Sequence, residues 1–244
     1  MLVHVGCSGW FYWHWRGLFY PDTPRADQWF RHYTEHFNTV ELNAPFYSWP
    51  KIATAKGWRR NAPEGFRYSL KVNRLITHEK RLVRTRMLVE EFYKFGDILG
   101  PMMGCFLFQF PPSYRYTRSR LDSLVRQLDP QHRNVVEFRH KSWWRDSVYR
   151  AFTERGLIFC TVSAPRIPDP LIKTNDTIYV RLHGSSRWYR HDYTDEELDA
   201  WAVKIQESGS HEAWIYFDND RDAFAIKNAQ TLMAKLRALD VDVA

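Results

Sequence analysis

Along this chain, eight short runs rich in β-branched and aromatic residues alternate with longer stretches of helical period, and this alternation constrains the fold more than any other feature. Strands separated by helical segments are the mark of βα units around a parallel sheet. The strands are predicted at residues 3–8, 39–42, 66–71, 105–109, 134–138, 157–162, 178–182 and 213–217. Helices are predicted at about 25–37, 52–60, 83–95, 119–128, 142–155 and 195–207, with Thr194 as an N-cap, and a last one ends near Leu236. Between strands six and seven, Pro165, Pro168 and Pro170 disfavour a helix. The expected fold is therefore α/β, a closed (β/α)8 TIM-type barrel with an irregular crossover between strands six and seven. No Gly/Ser linker or low-complexity stretch divides the 244 residues, so 1–244 is read as one domain.

Several classes are disfavoured. Apolar runs of about four to seven residues fall far short of a membrane span. The chain opens without a basic segment followed by an apolar one, so no signal peptide is predicted. Cys7, Cys105 and Cys160 lie far apart, without metal-ligand spacing, each in an apolar run. Buried, reduced thiols and a cytoplasmic location with no membrane partner are the expectation. The residues say nothing of oligomeric state.

Parallel barrel strands are apolar on both faces, so a charge within one needs a reason. Strand two places Glu41 and Asn43 two residues apart, strand three Lys71 and Asn73, strand five Glu137 and Arg139, and strand seven Arg181 and His183; strand four ends in Gln109. A period of two sends each pair to one face, and the opposite face must pack on helices. All lie at C-terminal strand ends, where barrel active sites are built. The competing reading is an ion-pair network that satisfies its own charges and fixes strand register.

The loops beyond these strands are aromatic or basic. Residues 8–15 contain Trp10, Phe11, Tyr12, Trp13 and Trp15, and residues 45–49 contain Phe46, Tyr47 and Trp49. They suit either stacking platforms for a ring or a packed plug. The loop after strand seven carries Ser185, Ser186, Arg187 and Arg190, the small and basic residues of an anion site. A net charge of +7 and an aromatic content of 16% also favour an anionic partner, DNA or RNA included.

Taken in order, these segments resemble the YecE-like family of domain-of-unknown-function proteins. The resemblance rests on Gly6-Cys7-Ser8-Gly9-Trp10, Thr39-Val40-Glu41-Leu42-Asn43, Phe46-Tyr47, and Thr77-His78 with Arg81-Leu82. It continues through Leu107-Phe108-Gln109-Phe110-Pro111-Pro112, Glu137-Phe138-Arg139-His140 with Ser142-Trp143, Tyr179-Val180-Arg181-Leu182-His183-Gly184 and Tyr216-Phe217-Asp218-Asn219-Asp220. The resemblance covers essentially the whole chain and implies a TIM barrel and site positions, but no reaction. A link to barrel endonucleases acting on abasic DNA is fold analogy. The sequence departs from the family at Ala44-Pro45, where a polar residue and threonine are usual, and at Asp218, where Asn is common.

The expected function is an enzyme, a hydrolase or lyase, acting on a phosphorylated or nucleic-acid substrate by hydrolysis or elimination. Glu41, Glu137, Lys71 and His183 are the candidate catalytic residues: carboxylates for acid–base work, Lys71 for charge or a Schiff base, His183 for proton transfer. Candidate binding residues are Trp10, Asn43, Asn73, His78, Gln109, Arg139, Arg181, Arg187, Arg190, Asp218 and Asn219. The alternatives are a glycosidase- or isomerase-like enzyme for a small sugar and a non-catalytic nucleic-acid-binding module. No cofactor is assigned, and no Walker A loop, dinucleotide fingerprint or nucleophile elbow is present. Lys71, Arg139 and Arg181 weigh against a divalent metal at the rim, which stays an alternative. His32-Tyr33-Thr34-Glu35-His36 fits a zinc-peptidase pattern but lies on the first helix, away from the rim.

Overall fold

Eight strands carry the sheet, in the order in which the chain makes them. The computed structural model describes residues 1–22, 25 and 28–244. The strands are β1 (Leu2–Cys7), β2 (Thr39–Leu42), β3 (Arg67–Lys71), β4 (Met103–Gln109), β5 (Asn134–Glu137), β6 (Ile158–Ser163), β7 (Thr177–Leu182) and β8 (Glu212–Phe217). Each pairs with the next, β8 pairs with β1, and Cys7 opposite Val40 joins β1 to β2, which closes a TIM-type barrel. The irregular crossover is present: residues 164–176 contain no helix. A ninth strand, β9 (Asp242–Val243), was not expected; it adds in parallel to the start of β1, with Leu2 opposite Asp242. Two residues are too few to show a period, so nothing in the sequence marks it.

The chain divides into two compact units. The first comprises residues 1–41 and 161–244. Within it, β7 and β8 run in register from Thr177–Glu212 to Leu182–Phe217, and β8 and β1 from Leu2–Glu212 to Cys7–Phe217. Gly6 is required there, because a Cβ would run into the Thr39 carbonyl. Its helices are α1 (Trp29–Thr34), α7 (Asp195–Gln206) and α8 (Phe224–Ala238). Thr194 caps α7 as expected: its hydroxyl accepts from Glu197 N at 3.2 Å while the Glu197 carboxylate accepts from Thr194 N at 2.9 Å. The expected first helix, about residues 25–37, is much shorter as α1. Its positions 26 and 27 lie outside the described residues, and after Thr34 the chain turns to bury Phe37.

The second unit comprises residues 42–160, with helices α2 (Ala44–Tyr47), α3 (Ile52–Asn61), α4 (Arg86–Leu99), α5 (Arg118–Gln127) and α6 (Asp146–Arg155). The Ala44-Pro45 departure makes α2, a single turn with proline at its start, where a missing N–H costs nothing. Helix α4 buries Val89, Phe92, Phe95 and Leu99 at three- and four-residue spacing, each worth about 1.5–3 kcal/mol of apolar transfer. Its Gly96 sits against the Phe106 ring, 2.7 Å from where a Cβ would stand.

Two helix boundaries depart from the expected ones for visible reasons. Helix α4 starts at Arg86 rather than 83, because Arg81, Leu82 and Arg84 hold φ of 50°, 58° and 52°. Left-handed backbone at non-glycine residues costs about 1–3 kcal/mol each and persists only where surroundings enforce it. Here Gln127 and Ser123 of α5 do so: Gln127 Nε2 and Ser123 Oγ donate to Leu82 O at 2.6 and 2.9 Å, and Gln127 Oε1 accepts from Thr85 Oγ1 at 2.9 Å. The helix expected from 142 instead opens as a 3-10 turn at Lys141–Trp143 and resumes as α6. Trp143 draws the backbone inward, stacking on Phe138 at 3.9 Å and donating from Nε1 to Tyr114 O at 2.7 Å.

Candidate active site

The polar strand ends form one cluster in each unit. In the first unit the alternation along β7 puts Tyr179, Arg181 and His183 on one face. The Arg181 guanidinium is fully buried and meets Glu41 Oε1 at 2.5 Å, Ser8 Oγ at 2.8 Å and Asp218 Oδ2 at 3.1 Å. Ser8 Oγ also donates to Glu41 Oε1, and Tyr179 Oη donates to Glu41 Oε2 at 2.6 Å. Glu41 is thus sealed from solvent with both oxygens occupied. His183 is equally buried, with Nδ1 2.8 Å from Asp218 Oδ2 and Nε2 3.3 Å from Arg181 Nη1.

Carboxylates outnumber the cation here. Close by, the pKa of Asp220 is pushed up to about 6, first by burial and then by the charge of Asp218. His14 Nε2 lies 2.5 Å from the Asp220 carbonyl, and Tyr12 donates to Ser8 O at 2.6 Å, its hydroxyl pKa raised by burial and by Asp220. Asn219 is buried; its Nδ2 donates to His191 O and Asn228 Oδ1, both at 2.7 Å, so it ties loops together.

The loop after β7 carries a hydrogen-bonded group of its own. Ser185 donates to Glu197 at 2.7 Å, Ser186 Oγ lies 2.8 Å from His191 Nδ1, and His191 Nε2 is 2.7 Å from Glu197. The Glu197 carboxylate is thus held by Ser185 and His191, while Arg187 and Arg190 are exposed. Trp10 is half-buried against Phe30 and Phe11, with ring centroids 5.1 and 5.5 Å away. Trp15 is wholly buried and plugs the loop, Tyr12 is half-buried, and Phe11 and Trp13 are exposed.

The second unit holds the other cluster. Arg139 Nε donates to Glu137 Oε1, and both side chains are buried. Lys71 Nζ lies over the Phe46 ring, 4.3 Å from its centroid, and the His78 ring stands edge-on to the same phenyl at 4.9 Å. His78 sits on a π-helical turn, Leu75–Glu79, a distortion that recurs at functional sites. Its Nδ1 is 3.0 Å from Thr77 Oγ1. Burial and the charges of Lys71, Arg74 and Arg139 push its pKa down to about 4, with Glu137 opposing. At neutral pH the imidazole is uncharged.

Asn73 and Gln109 serve the backbone around this cluster. Asn73 Nδ2 donates to Pro45 O at 2.8 Å and Oδ1 accepts from Leu75 N at 2.9 Å, which sets the π-helical turn. Gln109 Nε2 donates to Phe110 O at 2.8 Å. Asn43, half-buried, precedes α2, and its carbonyl accepts from Phe46 N at 3.0 Å. Strand alternation did not single out Ser8, Tyr179, Asp220 or Phe46. Tyr179 shares the phase of Arg181, and that was the available signal. The rings of His32, on α1, and His36, in the turn after it, lie 4.9 Å apart, and among the described residues no three His, Cys, Asp or Glu side chains are grouped to hold a metal.

A closed parallel barrel whose charged residues gather at C-terminal strand ends defines the class: a TIM-type barrel protein. The chain belongs to the family described as protein of unknown function DUF72, whose model matches residues 4–243. It is 23% identical to the UPF0759 protein YunF of Bacillus subtilis over 278 aligned positions, 99% of this chain and 96% of YunF. It is 31% identical to YecE of Escherichia coli over 128 positions, 51% of this chain and 46% of YecE. A DUF72 family protein from Thermotoga maritima superposes with a TM-score of 0.87 at 26% identity, covering 97% of this chain and all of that one. One from Enterococcus faecalis gives 0.83 at 19% identity, over 96% and 95% of the two chains. Among the described residues no helix is long and apolar enough to cross a membrane.

Proposed function

We propose that the protein is an enzyme for a phosphate-bearing substrate, with proton transfer at His78 leading to elimination or hydrolysis. The observation that carries this reading is a half-buried histidine that shares the Phe46 ring with Lys71, its pKa pushed down to about 4 by burial first and then by Lys71, Arg74 and Arg139. Such an arrangement binds an anion and supplies a base at once. Lys71 and Arg139 attract the phosphate and stabilise charge that develops in the transition state. Glu137 holds the Arg139 guanidinium and keeps the local charge positive by one rather than two. His78 accepts a proton at neutral pH without first having to lose one, and the bound anion raises its affinity for that proton.

In this reading the first unit's cluster plays another part. Glu41 and His183 are sealed by Arg181, Ser8, Tyr179 and Asp218, so they support the strand ends rather than touch the reacting atoms. An excess of carboxylates also repels a phosphate.

The test is turnover of a panel of sugar phosphates and an abasic-site oligonucleotide, followed by NMR of the products. Wild type should convert at least one phosphorylated member. His78→Gln should lower that rate by about 10²–10⁴, the usual worth of a positioned acid–base group. Undiminished turnover by His78→Gln, or turnover of neutral sugars alone, would remove the proposal.

A further inference from the structure

Immediately after the turn that carries His78, the chain enters the left-handed stretch at Arg81, Leu82 and Arg84 and then α4. Facing it across a groove of about 800 Å³ is α5. The groove is lined by Lys80, Arg81, Arg84, Arg86, Arg120 and Arg126, against a single carboxylate, Glu79. Glu79 is itself engaged by Arg74 at 3.3 Å, and Arg86 by Glu90 at 2.9 Å. The other five cations meet no carboxylate among the described residues. Arg81 donates to His78 O and Ser113 Oγ, both at 3.3 Å, and Arg120 to Arg115 O at 2.6 Å while lying over the Tyr114 ring.

The backbone explains how these cations come to be displayed. Leu82 is buried and strapped to Gln127 and Ser123, as Thr85 is to Gln127, so the residues between and beside them must turn outward. Arg81 and Arg84 are exposed as a result. Like charges gathered without carboxylates repel one another, and a bound anion relieves that repulsion.

We propose that this groove binds the phosphodiester backbone of a nucleic-acid strand. This deepens the reading above by naming a polynucleotide as the substrate class, and it rests on that reading for the phosphate-bearing chemistry at His78. A single small phosphate uses two or three donors, whereas five cations along one groove, none held by a carboxylate, match successive phosphates. The only aromatic ring lining the groove, Tyr114, is buried, so no base can stack on it. Recognition is therefore of the backbone and independent of sequence. Arg81 bonds the carbonyl of His78, so a strand in the groove passes beside the proposed base.

Fluorescence anisotropy of labelled single-stranded DNA, single-stranded RNA and duplex 20-mers at several salt concentrations tests this. Wild type should bind with log Kobs falling as log salt rises, by about 0.7 per phosphate contact for single strands. Arg84→Gln/Arg126→Gln removes two exposed cations without a partner to orphan. Its slope should be shallower by about 1.4, with at least a tenfold loss of affinity at low salt. Lys56→Gln/Arg60→Gln makes the same charge change on α3 and should leave the slope alone. Absence of salt-dependent binding, equal binding by the groove variant, or capture of phosphatidylserine vesicles in place of oligonucleotides would each overturn the proposal. A phosphate-induced rise in the His78 pKa that survives in the groove variant keeps the two readings apart. If oligonucleotides fail to bind and that rise persists, only the groove assignment falls.

Discussion

The Arg181 cluster and the Lys71 cluster come from the same sequence signal, polar residues two apart at the end of a barrel strand, yet they are electrostatic opposites. Around Arg181, Glu41, Asp218 and Asp220 outnumber one guanidinium, and the carboxyl of Asp220 titrates near 6. Around Glu137, Lys71 and Arg139 outnumber one carboxylate, and His78 titrates near 4. Burial is the first cause of both shifts, and the neighbouring charges add to it with opposite signs: Asp218 raises Asp220, while Lys71, Arg74 and Arg139 lower His78. Glu41 and Arg181 are sealed and mutually satisfied, whereas His78 is half-open. A strand-end charge therefore marks a candidate position, and only its partners decide whether it braces the fold or meets a ligand.

The largest effect expected is at Arg181. Arg181→Met leaves Glu41 and Asp218 buried without their cation and should cost about 3–5 kcal/mol of stability in urea unfolding. Adding Glu41→Gln should restore a good part of it, since the orphaned charge is gone. A loss below about 1 kcal/mol in the single variant would mean that Arg181 is no brace, and the contrast between clusters would collapse.

Lys71→Met should cost less, about 0.5–2 kcal/mol, because a cation–π contact with Phe46 is lost but the stem still packs. The same variant should lose phosphate binding measured by calorimetry. A stability loss as large as that of Arg181→Met would place Lys71 in a structural network instead.

A smaller but more diagnostic effect lies in the pH dependence of stability. His78 has its folded pKa lowered from about 6.5, so its contribution is present above about pH 6.5 and lost as pH falls toward 4. Asp220 has its pKa raised from about 3.9, so its contribution is present at acid pH and lost as pH rises through about 6. In urea unfolding between about pH 4 and 6, His78→Gln should flatten a rise of stability with pH, and Asp220→Asn should steepen it. Two variants that change the slope in the same direction would contradict the opposite signs of the two clusters.

The barrel was legible because period-two runs alternate with helical ones from β1 to α8, and because Pro165, Pro168 and Pro170 rule out a sixth crossover helix. The strand-end residues were legible because a charge in a two-sided apolar strand must point somewhere polar. Their partners were not, since alternation gives a face and not a neighbour. Tyr179 shares the phase of Arg181, but nothing in the sequence says that its hydroxyl reaches Glu41. The left-handed stretch at 81–84 was hidden for a different reason. Arg-Leu-Val-Arg has no glycine or asparagine to announce positive φ, and the conformation is imposed from α5 by Gln127. The 3-10 opening before α6 is set likewise by the stacking of Trp143 on Phe138.

The central claim is that the Lys71 cluster, and not the Arg181 cluster, receives the anion. NMR titration of the His78 imidazole and the Asp220 carboxyl, with and without inorganic phosphate, tests it directly. The account predicts a His78 pKa near 4 in the free protein, rising by about one unit or more when phosphate offsets Lys71 and Arg139, with Asp220 unmoved. A His78 pKa indifferent to phosphate, or a shift confined to Asp220, would contradict it.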